Sequence, residues 1–198
     1  MTGSGAFTTG GQFSTGSALA FGQATQTCSA VKAGSTSFGF GAANTGGTGL
    51  SGSALATLDN QSIPEGGNFT VAASGSAASP TLFLLDNSFS GSLAANQAAI
   101  RFVNLAPGTG TTANTFVVFS GAFGSSEQTL VAANMAAGAP TAYRIATSGA
   151  STFSLLRNPG HNVVIPSTEL TLQAGTVNTF AIVPTTSGGF QLINIPRC

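Results

Sequence analysis

The stretch that decides the fold is NVVIPSTELTLQAGTVNTFAIV, residues 162–183. It contains three short runs rich in β-branched, aromatic and other apolar residues, separated by PST and QAG. Such runs, punctuated by Pro, Gly and Ser, are typical of short strands joined by turns. No helical periodicity of useful length interrupts the pattern, so we predict an all-β sandwich. Working outward from this stretch, the predicted strands of the second half are Ala99–Asn104, Thr115–Ser120, Thr141–Thr147, Thr152–Leu156, Asn162–Ile165, Glu169–Leu172, Thr176–Val183 and Phe190–Ile195.

One predicted strand also shows which way its side chains face. In Tyr143-Arg144-Ile145 two apolar residues flank a charged one. Because successive strand residues point to opposite faces, Tyr143 and Ile145 are predicted to face the core and Arg144 the solvent.

An internal repeat divides the chain. Ile63–Val71 is echoed by Leu172–Phe180, and each copy is followed by an apolar run that closes its half. Because ordered self-similarity decides architecture before any local pattern does, we predict two related sandwich halves, residues 1–90 and residues 97–198.

The first half has a weaker beginning than the second. The counterpart of the opening strands, Ala99–Ser120, falls in Thr2–Ala20, which is mostly Gly, Ser and Thr. The first half is therefore predicted to lack one opening strand. A sandwich without a strand leaves unpaired N–H and C=O groups and an apolar groove, which another chain can fill by strand addition. Thr2–Ala20 or a terminal strand is the predicted donor.

The second half resembles a secreted bacterial family of β-sandwich domains of uncharacterised function, often found in tandem on cell surfaces. The resemblance rests on Arg101–Pro107, Ala136–Gly138 before a Tyr-containing strand, and Leu172–Thr176 before Phe180–Val183. It implies two tandem Ig-like β-sandwich halves, an extracellular or cell-surface location and no catalytic residues. The first half departs from the pattern because it lacks the opening motif.

Charge is nearly absent from the chain. The chain has five Lys and Arg residues and five Asp and Glu residues, so its formal net charge is zero. Charged residues make up 5% of the sequence, against about 25% in ordinary soluble domains. Nucleic-acid binding and attachment to anionic membranes need clustered Lys and Arg, so neither is expected. No apolar run approaches the roughly 20 residues that span a bilayer, so no membrane span is expected.

A neutral surface with few charges resists association poorly. Two interpretations stay open. Either Ser, Thr, Asn and Gln side chains keep a compact monomer soluble, or much of the surface is buried in subunit contacts.

No motif indicates an enzyme, a metal or a cofactor. The one histidine, His161, follows Pro159-Gly160 and is predicted to lie in a turn, without the partners that a catalytic or metal site needs. Gly108–Ala113 nominally fits a dinucleotide-binding fingerprint, but a strand follows it where the fingerprint needs a helix. We therefore predict no enzymatic activity and no cofactor.

The two cysteines are the candidate site residues. Cys28 lies near the start and Cys198 is the last residue. In an oxidising exterior they are expected to form disulfides, either within one chain or between chains. A bond between chains would link subunits head to tail.

These observations predict a structural subunit of an extracellular filament or surface assembly, a homopolymer joined head to tail by strand complementation and disulfides. The alternatives are a monomeric adhesive or carbohydrate-binding module and a virion structural protein. No signal peptide is visible, because the N-terminus has no basic region followed by an apolar core. Export therefore requires that a signal was removed or that the route is signal-independent.

Overall fold

The computed structural model describes residues 4–9, 19–20, 22, 24, 28–46, 49–76, 78–106, 115–158, 162–195 and 197. These residues form strands and no helix, which confirms the all-β prediction, and none of them belongs to a helix that could cross a membrane. The described strands are β1 Ser4–Thr9, β2 Leu19–Ala20, β3 Gly34–Ala42, β4 Ala56–Ile63, β5 Phe69–Ser76, β6 Ser79–Asp86, β7 Gln97–Asn104, β8 Thr115–Ser120, β9 Thr129–Met135, β10 Arg144–Thr147, β11 Gly149–Asn158, β12 Asn162–Leu172, β13 Val177–Pro184 and β14 Phe190–Ile195.

The chain divides into two compact units between Ser88 and Phe89. We call them the first and the second unit. The second unit begins eight residues earlier than predicted because the segment before β7 bonds within it. The Ser148 N–H donates to Asn96 O at 2.9 Å, and the Gln97 N–H donates to Ala94 O at 3.0 Å.

In the part of the chain that the structure describes, the second unit consists of two four-stranded sheets. One has the order β10-β7-β13-β14, with β7 and β13 parallel, and the other has the order β12-β11-β8-β9. The core draws large side chains from both sheets, and Phe102 lies at its centre, 5.4 Å from the Phe153 ring and 5.8 Å from the Phe180 ring. Two sheets that bury alternate side chains against each other make a sandwich.

The first unit also has two sheets, of unequal size. One has the order β2-β1-β3-β4, and the other consists of β5 and β6 in the described residues. Among the side chains whose burial is described, the buried apolar ones of this unit are Phe38, Ile63, Ala72, Leu82 and Leu85, fewer than in the second unit.

The two units share a strand order. The series β4-β3-β1-β2 has the same order as β12-β11-β8-β9, and the hairpin β5-β6 corresponds to β13-β14. The turns before β5 and β13 also correspond, because Gly66 and Gly175 both have positive φ, at 70° and 75°. The internal repeat is therefore a repeat of structure. In the described residues the first unit has no counterparts of β7 and β10.

Thr2–Ala20, one of the two predicted donors, takes part in the sheet of its own unit. This segment contains β1 and β2, and β1 pairs with β3 along five residues, from Gly5 to Thr9. Its Gly- and Thr-rich sequence still forms a strand because sheet pairing depends on neighbours more than on intrinsic propensity. By its place in the sheet β1 corresponds to β8, so of the two opening strands β7 and β8 it is β7 that has no counterpart in the described residues.

Three details of the second unit differ from the sequence prediction. β9 was not predicted. Asn162–Ile165 and Glu169–Leu172 form the single strand β12, because Pro166 is tolerated at a sheet edge. Ile145 is 53% exposed and does not face the core, because β10 is a four-residue edge strand, while Arg144 is exposed as predicted.

Candidate functional site

The candidate site in the first unit is the side of β5 at which the described residues contain no counterpart of β7. In the second unit β13 lies between β14 and β7. In the first unit β5 has β6 as its strand neighbour within the described ranges. β5 itself carries no charge, and its residues Ala72 and Ser74 are buried. The strand order thus identifies a position in the first sheet that the described residues leave without a strand.

The geometry of the second unit indicates what kind of strand belongs there. β7 runs parallel to β13, with Ala99 opposite Val177 and Asn104 opposite Ile182. Every residue from Ala98 to Ala106 is buried. A strand covered on both faces needs apolar residues at successive positions, which the sequence AAIRFVNLA of residues 98–106 supplies. A strand that completes the first unit would need the same character and direction.

Arg101 interrupts the apolar run of β7 and is held in a buried cluster. It is 5% exposed, its Nε donates to Thr179 Oγ1 at 2.9 Å, and its guanidinium carbon lies 4.5 Å from the centroid of the Tyr143 ring. The Tyr143 ring also meets the Phe89 ring edge to face at 5.4 Å. Because Arg101 covers one face of this ring and Phe89 contacts it too, Tyr143 is a poor sugar-stacking platform.

Sequence reasoning used Arg101 as part of a family motif and missed this cluster. The signal that was available is its position, because it is the one charged residue within the apolar run of residues 98–106. A charge in a strand buried on both faces needs partners close by.

The predicted site residues are only partly visible in the structure. Cys28 is exposed in the segment before β3, and the described residues contain no free cysteine. Cys198, His161 and Gly108–Ala113 lie outside the described residues, so the disulfide pairing and the two turns stay predictions. Among the residues that are described, no three His, Cys, Asp or Glu side chains form a group that could hold a metal ion.

Besides this side of β5, the edge strands of the second unit also have backbone N–H and C=O groups on a side where the described residues contain no neighbouring strand. Its four edge strands, within the described residues, are β10 and β14 of one sheet and β9 and β12 of the other. They differ in sequence and regularity. β12 contains Pro166 and Glu169, β10 is short and begins with Arg144, and β9 is irregularly paired, whereas β14 is regular and uncharged.

The fold and these surfaces define a two-unit β-sandwich protein. The family model for the domain of unknown function DUF4397 matches residues 10–113, just over half of the chain, and the chain belongs to that family. The match covers most of the first unit, although the resemblance noted from the sequence was carried by the second half, and it reaches β7 in the second unit. No curated protein matches the chain.

Proposed function

We propose that this protein is a structural subunit of an extracellular filament or surface assembly, in which a strand of a neighbouring copy completes the first unit. The observation that carries the proposal is the comparison of the two units. The second unit has two four-stranded sheets, while the described part of the first has no counterparts of β7 and β10. The proposed role is architectural and involves no catalysis.

The inequality of the units favours a head-to-tail arrangement. A contact that joins the incomplete unit of one copy to a different surface of the next copy does not pair like with like. Such heterologous contacts produce open filaments unless their rotation closes a ring. The low charge of the chain is compatible with this arrangement, because neighbouring copies carry few like charges that would repel.

Deletion of Thr2–Ala20 is not a suitable test of strand donation. Thr2–Ala20 was one of the two predicted donors, but deleting it would remove β1 and β2 and so damage the first unit itself. A synthetic peptide that imitates the missing strand avoids this difficulty. The peptide with the sequence of residues 97–106 is suitable, because it copies the strand that occupies the corresponding position in the second unit.

We expect purified protein to form regular fibres in negative-stain electron microscopy, and we expect the peptide to shorten them in proportion to its concentration. The matched control is a peptide of the same composition in scrambled order, which should leave fibre length unchanged. Particles of monomer size alone would refute the assembly. Fibres shortened equally by both peptides, or by neither, would refute complementation by a β7-like strand.

We further propose that Cys28 and Cys198 pair within one chain, which the lack of a free cysteine in the described residues supports. Closing a loop of about 170 residues would contribute roughly 5 kcal/mol on the chain-entropy model. We expect a monomer band on a non-reducing gel, and a lower free energy of unfolding after reduction. Cys28→Ser should have that lower stability already and should not respond to reductant. A ladder of oligomers on the non-reducing gel would instead place the bond between chains.

A further inference from the structure

The edge strands of the second unit differ in how they are protected from pairing with another chain. Natural sheets block their edges with Pro, charged side chains, short strands or bulges. β12 contains Pro166 and Glu169, and its register with β11 shifts twice. β10 has four residues and begins with Arg144. β9 shifts register twice against β8, and its Asn134 has a φ of 52°.

β14 has none of these devices. Its sequence, FQLINI, contains neither a charge nor a proline, and its six residues pair with β13 without any shift of register. Gln191 and Asn194 are exposed, and Phe190, Leu192 and Ile193 are half-buried. A regular, uncharged edge strand is a template for pairing with another strand.

The register fixes which backbone groups face the open edge. At the β13-β14 turn the Thr185 N–H donates to Gly189 O at 2.8 Å, so this residue pair is hydrogen-bonded. Hydrogen-bonded and non-bonded pairs alternate along antiparallel strands. Gln191, Ile193 and Ile195 therefore bond to β13. Phe190, Leu192 and Asn194 direct their N–H and C=O groups away from it.

A second contact supports this assignment. Ile182 lies opposite Leu192, and its carbonyl oxygen accepts a hydrogen bond from Leu105 N at 3.0 Å. The Ile182 carbonyl thus points away from β14, as a non-bonded pair requires. Because both residues of a non-bonded pair direct their N–H and C=O groups away from each other, the Leu192 groups point to the open edge of β14.

We propose that β14 pairs antiparallel with β14 of a second copy across a two-fold axis at Leu192. In this register Leu192 lies opposite Leu192 of the second copy, and Phe190 lies opposite its Asn194. The outward N–H and C=O groups then meet in three hydrogen-bonded residue pairs, with about six hydrogen bonds in all. The two sheets join into one continuous sheet.

Self-pairing is favoured by the chemistry of the strand. Identical strands related by a two-fold axis bring like residues close together, and like charges placed opposite each other destabilise a sheet. β14 has no charge to repel its own copy, whereas the edge strands β10 and β12 carry Arg144 and Glu169. The pairing goes beyond the proposed function and does not depend on it, because a two-fold contact closes on itself and builds no fibre.

Asn194→Pro tests the pairing. Proline removes an outward N–H but no bond to β13, and an edge strand tolerates it on that side. Asn194→Ala keeps the N–H and is the matched control. Sedimentation of the full chain is measured with the β7-like peptide in excess, so that fibre growth does not compete with dimerisation. We expect a weak dimer for the unchanged protein and for Asn194→Ala, and a dissociation constant raised by about tenfold or more in Asn194→Pro, since each dimer loses two hydrogen bonds.

A second variant keeps the test decisive if Asn194→Pro does not fold. Gln191→Lys places a charge on an exposed side chain of β14, and Gln191→Ser is its control. We expect Lys to weaken the dimer at low salt and high salt to restore it. An unchanged protein that stays monomeric up to its solubility limit, or a folded variant of either kind that dimerises as the unchanged protein does, would overturn the proposal. The β7-like peptide does not act on this contact, so the two proposals fail separately.

Discussion

Phe102→Ala is expected to lower the free energy of unfolding of the second unit by about 3–5 kcal/mol, the usual loss for a fully buried aromatic residue. Phe102 has no exposed surface and lies in the centre of the core. It contacts Phe153 from the opposite sheet and Phe180 from the neighbouring strand. Alanine would therefore leave a cavity with rings on two sides.

Urea denaturation measures this loss when it is followed by circular dichroism or by the fluorescence of Tyr143, since the chain has no tryptophan. Phe123→Ala is the matched control, because Phe123 is 46% exposed and outside the core, and the change should cost no more than about 0.5 kcal/mol. The two units can unfold separately, so the transition of the second unit is the one compared. Equal losses in the two variants would contradict the central position of Phe102.

Arg101→Met is expected to lower the stability of the second unit by about 3 kcal/mol. The side chain contributes a charge-assisted hydrogen bond to Thr179 and a cation–π contact with Tyr143, each worth about 2 kcal/mol when shielded from water. Methionine keeps most of the apolar stem, so the loss reports the guanidinium. Removing a buried charge also leaves the polar groups around it without their partner.

Arg144→Met is the matched control for Arg101. Arg144 lies opposite Ile100 on the adjacent strand and is exposed, so its replacement should change the stability by no more than about 0.5 kcal/mol. Arg101→Lys should recover only part of the loss, because an ammonium group lacks the planar shape that stacks on Tyr143. If the two methionine variants unfold at the same urea concentration, the buried cluster does not stabilise the unit.

Periodicity and turn residues were enough to predict most of the second unit. Thr115–Ser120 and Phe190–Ile195 have the predicted bounds because each is an apolar run with turn residues nearby. β9 was missed because two alanines and an asparagine interrupt the larger apolar residues of Thr129–Met135, and the strand forms where β8 provides a partner. The exposure of Ile145 could not be predicted either, since alternation says which face a residue takes but not whether another sheet covers that face.

The candidate surfaces depend on strand order, which a sequence pattern does not contain. The repeat indicated that the first half lacks an opening strand, but only the sheet order shows that β1 corresponds to β8 and that β7 has no counterpart among the described residues. Likewise, β14 was predicted as a strand, while its place at an edge was not. Long-range pairing, which determines both surfaces, is set by the packing of the whole unit.

The parallel pairing of β7 with β13 has a consequence for synthesis on the ribosome. Arg101 and Thr179, which bond across this pair, are 78 positions apart in the chain. At 5–20 residues per second, β7 waits roughly 4–16 s for its central neighbour. During that time β10 is the one described strand of its sheet that can pair with β7, so the edge of β7 that will meet β13 stays open. Hairpins such as β5-β6 close as soon as they emerge, so a nascent chain would carry an apolar strand with one open edge after its first unit has largely folded.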